Sequence, residues 1–432
     1  MLCTRERDWF ESHQALTQFF IFFEHKWYNA ANSNNHTLTM KNKNNVSTEP
    51  KAPINWVPSI MFIISTLAVL VAVPWYGFSH GYSSEAWIAF IVLNFFCGIA
   101  ITAGYHRLWS HNAYQAHPIV KIWFALWGAC AAQNSILVWS SGHRVHHRHV
   151  DDVDKDPYSA KRGLWFSHMG WMLRKYPSGE VNFDNVKNLQ ADPIVAWQHK
   201  YYLFIALSMM IGVPVILGLL SGDFWGMILL AGFLRLFVSH HVTFFINSIA
   251  HKWGKQPYTD ENTARDNAFF ALLTHGEGYH NYHHIFQTDY RNGIRWWHWD
   301  PTKWLIHAMS WVGLTSNLKT VSNFKIQRAK NHMQFKRANE ELAKAHSSEN
   351  LAAHMHKNVE QWKASLEKEY EDFKDTLQQW SELQTEKMQS TKKDLQGKWD
   401  KAVIRTRYKE LEYSLKMQHK RLKFMHAQFA FS

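Results

Sequence analysis

Residues 86–111 read AWIAFIVLNFFCGIAITAGYHRLWSH, an apolar run that ends in two histidines, His106 and His111. Wound as a helix at 1.5 Å per residue, this stretch is roughly 39 Å long, against ~30 Å for the hydrocarbon core of a bilayer. Ala86–Tyr105 can therefore cross a membrane while the histidine-bearing end projects beyond it. Three other runs have the same character. Val57–Phe78 and Leu203–Leu220 contain no charge, and Phe224–Ala250 carries Arg235, His240 and His241 before reaching His251. A helix from Phe224 to His251 is roughly 42 Å, again longer than the lipid core. The predicted fold is all-α and integral to the membrane, with four transmembrane helices.

Charge orients the spans. The connections Ser79–Glu85 and Ser221–Asp223 are short and lack Lys and Arg, whereas the segments before the first span, between the second and third, and after the fourth are rich in both. By the positive-inside rule those segments and both termini face the cytosol, and the spans pair as two hairpins. The run Ile119–Trp139 contains Lys121, Gln133 and Asn134. As a fifth crossing it would separate His106 and His111 from the histidines near position 145, so an interfacial helix is favoured.

Over the whole chain of 432 residues the mean hydropathy is only −0.34, because polar ends dilute the apolar middle. Aromatics make up 15%, with 22 Trp, which suits membrane-interface belts. The formal charge of +12 comes with no nucleic-acid motif and fits a basic face beside anionic lipid, so no nucleic-acid partner is expected. Three cysteines, Cys3, Cys97 and Cys130, exclude a disulfide scaffold, a CxxC zinc site and an iron–sulfur cluster. Acidic Glu6, Asp8 and Glu11 before the patch Phe19–Phe23 argue against a signal peptide. Residues 1–50 are read as a disordered segment or one preceding a true start at Met40, and 51–325 as the membrane domain. Residues 326–432 are a charged helical tail. In it Val359, Trp362, Leu366, Tyr370, Phe373, Leu377 and Trp380 recur at helical spacing, as do Ile404, Tyr408, Leu411, Leu415, Leu422 and Met425. That pattern fits a coiled-coil seam, a helical hairpin broken near Gly397, or a helix docked on its own protein.

Of the 28 histidines, three clusters stand out: His106 and His111 in HRLWSH, His143, His146 and His147 in HRVHH, and His280, His283 and His284 in HNYHH. His251, at the end of the fourth span, is a further member. Residues at i, i+3 and i+4 share a helix face, so each HxxHH directs three imidazoles to one side. Adjacent pairs diverge by about 100° and can reach two different metals. Asn247 and His251 also share a face, and HxxxxH calls for a frayed or bent helix end. All nine histidines can meet in a helical cap on the cytosolic side. Nine imidazoles exceed one ion's needs and no thiolate accompanies them, which points to two irons that activate O2. Acidic partners for the distal ring nitrogens are expected among Asp151, Asp152, Asp154, Asp156, Glu277 and Asp289, although each alone reads as a solvated loop charge.

At these residues the chain resembles the membrane-bound delta-9 acyl desaturases of the stearoyl-CoA desaturase type. The shared wording is ITAGYHRLWSH, Gln133–Asn134 with Trp139 and HRVHH, FSHMGWML, NSIAH and GEGYHNYHH, over about Trp56 to Lys319. The resemblance implies a four-span stem under a cytosolic cap. It also implies one iron on His106, His111, His143, His147 and His283, and a second on His146, His251, His280 and His284 with Asn247 through water. Gln133, Trp139 and Thr243 would line the bend of an acyl tunnel, and Asn94 and Gly98 its far end. The implied reaction is O2-dependent insertion of a cis double bond, at Δ9, into a saturated acyl chain. Ser141 and Gly142 stand where CoA-dependent animal members carry Arg and Asp, so the carrier (CoA, phospholipid or acyl carrier protein) stays open. The chain carries no His-Pro-Gly-Gly haem segment, so electrons are expected from a separate carrier protein. A membrane hydroxylase, or a metal-binding scaffold that self-associates through the tail, are the competing readings. Every box ends by His284, so the chemistry is expected to survive loss of the tail.

Overall fold

The computed structural model describes residues 52–346, 353–390 and 397–431. The expectations for residues 1–50, including the start at Met40, lie outside the described residues. In chain order the principal helices are α1 (Trp56–Ser79), α2 (Ser84–Ser110), α3 (Pro118–Cys130), α4 (Ile136–His149), α5 (Pro193–Lys200), α6 (Tyr202–Ser221), α7 (Phe224–His251), α8 (His280–Ile285), α9 (Pro301–Trp311), α10 (Asn323–His346), α11 (Ala353–Ser390) and α12 (Gly397–Phe431). Four of them, α1, α2, α6 and α7, are long and apolar enough to cross a membrane. At 13 residues α3 is too short to do so, which leaves four spans.

The spans pair as hairpins, and one carboxylate ties the two turns together. Asp223 caps α7 by accepting from Gly226 N at 2.9 Å, and also accepts from Tyr76 Oη at 3.0 Å and Ser83 N at 3.1 Å. Both short loops therefore sit at the same end of the stem. Leu70, Leu203 and Leu220 on the outer helices stay exposed, as lipid-facing side chains do. The charge inside α7 is handled locally. Arg235, fully buried, donates to Cys130 O at 2.8 Å and Ala231 O at 3.2 Å, because a bare guanidinium at that depth would be costly.

The histidine-bearing end of α2 departs from α geometry. From Ala100 to Ser110 the backbone winds with i→i+5 hydrogen bonds, among them His111 N to His106 O at 3.1 Å. This π winding brings residues five apart onto one face, so the HxxxxH pair is aligned by a wider helix rather than by the fraying the spacing had suggested. Close packing accompanies it. A Cβ on Gly128 of α3 would lie 2.2 Å from Tyr105 Cε1, so only glycine admits the ring there.

The tail is a three-helix arrangement. Glu369–Arg421 and Glu386–Arg407 pairs show that α11 and α12 run antiparallel. Phe324, Phe335 and Leu342 of α10 join Trp362, Leu366, Phe373, Leu415 and Leu422 in one core, with Leu377, Trp380, Leu411 and Met425 packed against it. Tyr370 and Tyr413 are exposed, and the Val359 side chain lies outside those described. Within the core, Asn331 donates to Leu415 O and Gln418 Oε1, a buried polar layer that sets the register of α10 on α12. Most of the apolar seam thus finds its partners within the chain.

Candidate metal centre

The four histidine-bearing elements converge at one place. His106 and His111 come from the π-wound end of α2, His143, His146 and His147 from α4, His251 from the last turn of α7, and His280, His283 and His284 from α8. Their ring nitrogens fall into two groups, within each of which the nitrogens lie no more than 4.8 Å apart. One is His106, His111, His143, His147 and His283; the other is His146, His251, His280 and His284. The neighbours His146 and His147 part to opposite groups, as do His283 and His284, because successive helical residues point about 100° apart.

The spacing fits a metal within each group. Nε2 atoms face each other at 2.8 Å for His111 and His143 and at 2.9 Å for His106 and His283. The separation is 3.1 Å for His147 and His283, for His251 and His280, and for His280 and His284. Two imidazole nitrogens about 2.1 Å from a shared ion and at right angles lie about 3.0 Å apart. Neutral imidazoles whose Nδ1 carries the proton would otherwise set lone pair against lone pair. Burial and the neighbouring imidazoles push His143, His147, His283 and His284 well below their usual range, and His280 to about 3. The rings are thereby kept in the neutral form that ligation requires.

The outer side of each ring explains its orientation. His146 Nδ1 is 2.9 Å from Asp156 Oδ1, and His106 Nδ1 is 2.9 Å from Glu277 Oε2. His251 Nδ1 lies 2.9 Å from Thr263 Oγ1, whose hydroxyl donates to Asp151 Oδ1 at 2.6 Å. Such partners fix the tautomer and raise ligand basicity. Asp151, Asp156 and Glu277 are buried, contrary to the solvated-loop expectation for each alone. Asp289 is also buried but serves Tyr282 Oη (2.8 Å) rather than a ring nitrogen, while Asp152 and Asp154 remain in the loop after α4. Although its burial works the other way, the His106 ring and the Arg107 guanidinium beside it hold the Glu277 carboxyl down to about 2.

Arg107 and Asp300 carry no local signal in the sequence. Arg107, beside His106 and buried, donates to Glu277 Oε1 at 2.8 and 3.1 Å and to Asp300 Oδ2 at 3.1 Å. Asn292 Nδ2 donates to the other Glu277 oxygen at 2.6 Å. Arg107 meets Glu277 and Asp300 across 170 and 193 residues of sequence, so no spacing rule could pair them.

The tunnel candidates divide. Gln133 Nε2 donates to Thr243 Oγ1 at 2.9 Å and Gln133 Oε1 accepts from Trp139 Nε1 at 3.4 Å. Trp139 stacks on the His143 ring with centroids 4.9 Å apart, so this trio adjoins the imidazole groups. Asn94 and Gly98 lie further back along α2. Asn94 Oδ1 is buried without a partner, and a Cβ on Gly98 would lie 2.3 Å from His275 Cε1. Asn247 sits one turn before His251 and is half-buried. Ser141 is buried and donates to Asn182 O and Asn185 Oδ1, while nothing lies near a Cβ built on Gly142.

Four apolar spans under a cap in which nine imidazoles form two groups define an integral membrane protein with a histidine metal site. Comparison sharpens that class. The fatty acid desaturase family model matches residues 85–310. The chain is 38% identical over 312 residues to acyl-CoA desaturase 1 of Saccharomyces cerevisiae, covering 70% of this chain and 60% of that protein. It is 37% identical over 245 residues to stearoyl-CoA desaturase 5 of Bos taurus (55% and 73% covered), and 31% identical over 274 residues to the sn-1 stearoyl-lipid 9-desaturase of Anabaena variabilis (63% and 97%). The chain belongs to the fatty acid desaturase family. It spans about 60% of the length of the yeast relative.

Proposed function

We propose that this protein is an O2-dependent fatty acyl desaturase that places a cis double bond at Δ9 of a saturated chain. The observation that carries the reading is the division of nine imidazoles into two groups with ligand spacing, in a chain of this family. In this reading His106, His111, His143, His147 and His283 hold one iron, and His146, His251, His280 and His284 hold the other, with Asn247 reaching it through water. Bound iron would supply the activation of O2, which takes two hydrogens from adjacent methylenes, two external electrons and two protons to leave as two waters.

The chain's own residues position and shield. Glu277, Asp156 and the Thr263–Asp151 pair keep the ring protons on the outer nitrogens. Trp139, Gln133 and Thr243 form the wall along which the acyl chain bends, and Asn94 and Gly98 mark the far end of its path. Electrons come from a separate carrier protein. The acyl chain arrives on CoA, as the yeast and bovine relatives' names imply for them, or on a phospholipid or carrier protein. The buried Ser141 and the bare Gly142 leave no charged headgroup contact at that point. The protein is multi-pass, with termini and site on the cytosolic side, because the Lys- and Arg-rich segments flank the same span ends as the histidines.

Expression in a desaturase-deficient host, with mass-spectrometric localisation of the double bond, tests the reading. A Δ9 monounsaturated product is expected. An alcohol product would make the protein a hydroxylase, and no product with metal bound would leave only a scaffold. Elemental analysis of iron-replete protein should give two irons per chain, and turnover with NADPH alone would defeat the separate carrier.

A further inference from the structure

Helix α8 carries three of the nine candidate ligands on six residues. A helix this short does not hold its own shape in water, so its geometry must be imposed from outside. Part of the frame is local: Asn281 is buried and makes hydrogen bonds to Tyr258 N, Thr259 O and Ala264 O. The remaining side belongs to the tail. Tyr282 and Tyr258 share an apolar cluster with Ile326 of α10, against which Phe286, Ile294, Val321 and Ala329 pack. Asp289 Oδ2 accepts from Tyr282 Oη at 2.8 Å and from Val321 N at 2.8 Å, so one buried carboxylate joins α8 to the lead-in of α10. Further along α10, Lys336 Nζ lies 2.6 Å from Asp260 Oδ2 and Arg337 donates to Gln256 O at 2.6 Å.

We propose that the C-terminal bundle is a clamp on α8, with Ile326 as the positioning residue that holds Tyr282 and, through it, His280, His283 and His284. The proposal rests on the ligand assignment above. Its logic is one of leverage. Residue 282 sits between the ligands, and its neighbour His283 approaches His106 and His147 at 2.9 and 3.1 Å. A shift of Tyr282 therefore moves ligands of both groups. The bundle core of α10, α11 and α12 stiffens α10 as a rigid bar, and the bar bears on the cap where that short helix is weakest. Loss of the tail should then cost metal, contrary to the expectation drawn from the box positions alone.

The test uses full-length protein in four forms: the parent, Ile326→Asp, the milder Ile326→Ala, and the conservative Ile326→Leu, with Leu366→Ala as a bundle-core control remote from α8. Retained iron is measured by elemental analysis against increasing chelator, beside thermal unfolding of each protein. Positioning shells of this kind change metal affinity by about 10–100-fold, and that loss is expected for Ile326→Asp, with Ile326→Ala intermediate and Ile326→Leu like the parent. Leu366→Ala weakens the bundle core but leaves Ile326 against Tyr282, so it should unfold at lower temperature and yet lose iron clearly less readily than Ile326→Ala. The clamp is overturned if the Asp and Ala variants keep iron as tightly as the parent, or if Leu366→Ala loses it to the same extent as they do. A parent that retains no metal defeats the ligand assignment itself, a failure that the chelator series tells apart from failure of the clamp.

Discussion

The two HxxHH helices carry the same letters and solve the problem of rigidity in opposite ways. α4 is 14 residues long, capped by Ser135, and braced by Arg144, which donates to Ser110 O at 2.9 Å, Trp109 O at 2.8 Å and Asn185 O at 2.7 Å. α8 is six residues long and depends on contacts from loops and tail. Ligand allocation is mirrored too. α4 gives two histidines to the five-membered group and one to the other, whereas α8 gives one and two. The five-membered group therefore stands on long helices, and the four-membered group draws half its members from the short one. A motif fixes which imidazoles face together; the length behind it decides how much of their placement is borrowed.

The strongest challenge to this picture goes through His251, the member outside all three boxes. His251→Ala should abolish desaturation, leaving less than a few per cent of parental turnover, with membrane insertion unchanged. It removes one of four candidate ligands from the group that α8 dominates. Turnover above that level, assayed in membranes with equal protein, would make His251 a buried core histidine and nothing more.

Next in size is the local frame of α8. Asn281→Ala leaves buried backbone groups at Tyr258, Thr259 and Ala264 unpartnered, at about 1–3 kcal/mol for each group left unsatisfied. A total loss of about 3 kcal/mol is expected by thermal unfolding. Asn185→Ala, below α4, loses only the two bonds to Ser141 at a half-buried position and should cost about 1 kcal/mol. Equal costs would erase the distinction between a self-supporting and a borrowed helix.

Much of this is legible in the sequence. The four spans, the nine histidines and their meeting point follow from apolar run lengths and i, i+3, i+4 spacing, which are local signals. The π winding of Ala100–Ser110 was not legible, because i→i+5 bonding reflects packing against α3 rather than residue preference. The acids Asp151, Asp156 and Glu277 are flagged by proximity, yet the partners that hold Asp151 and Glu277 in the interior, Thr263 and Arg107, lie 112 and 170 residues away in sequence. In the tail the apolar periodicity was plain, but which helices would close the seam depended on three segments meeting, and the role of Asn331 had no local mark.

A smaller effect comes from Asp266, whose Oδ1 accepts from Tyr282 N at 3.0 Å on α8. Burial raises its carboxyl from 3.8 to about 7, against the pull of the backbone donors and Lys330. A raised folded-state value means that its stabilising share is complete below 3.8 and is lost as pH climbs through about 7. Asp266→Asn keeps an acceptor and cannot titrate. It should therefore be more stable than the parent above that window, by on the order of a few kcal/mol at most, with the gap closing toward acid. A constant gap at all pH values would show that Asp266 does not titrate with folding.

The smallest effect bears most directly on the contrast between the helices. Graded chelation of iron-loaded protein should release the two ions in separate steps, the four-membered group first. Two of that group's members, His280 and His284, sit on the six-residue helix, and a third, His251, sits on the last, 3₁₀-like turn of α7. His146 alone stands inside a long helix, with His251 at the tightened end of one, whereas His106, His143 and His147 of the other group stand inside long helices and His111 caps α2. Excursions of α8 strip two imidazoles from one group and a single one from the other. The expected separation is about tenfold in chelator concentration, or about 1.4 kcal/mol. Replacement of His146 by Ala assigns the step, since it should remove the easily chelated ion and leave the tighter one, while His111→Ala should do the reverse. Release of both ions in one step, or earlier loss from the five-membered group, would mean that α8 is held as firmly as α4 and that helix length does not set the order.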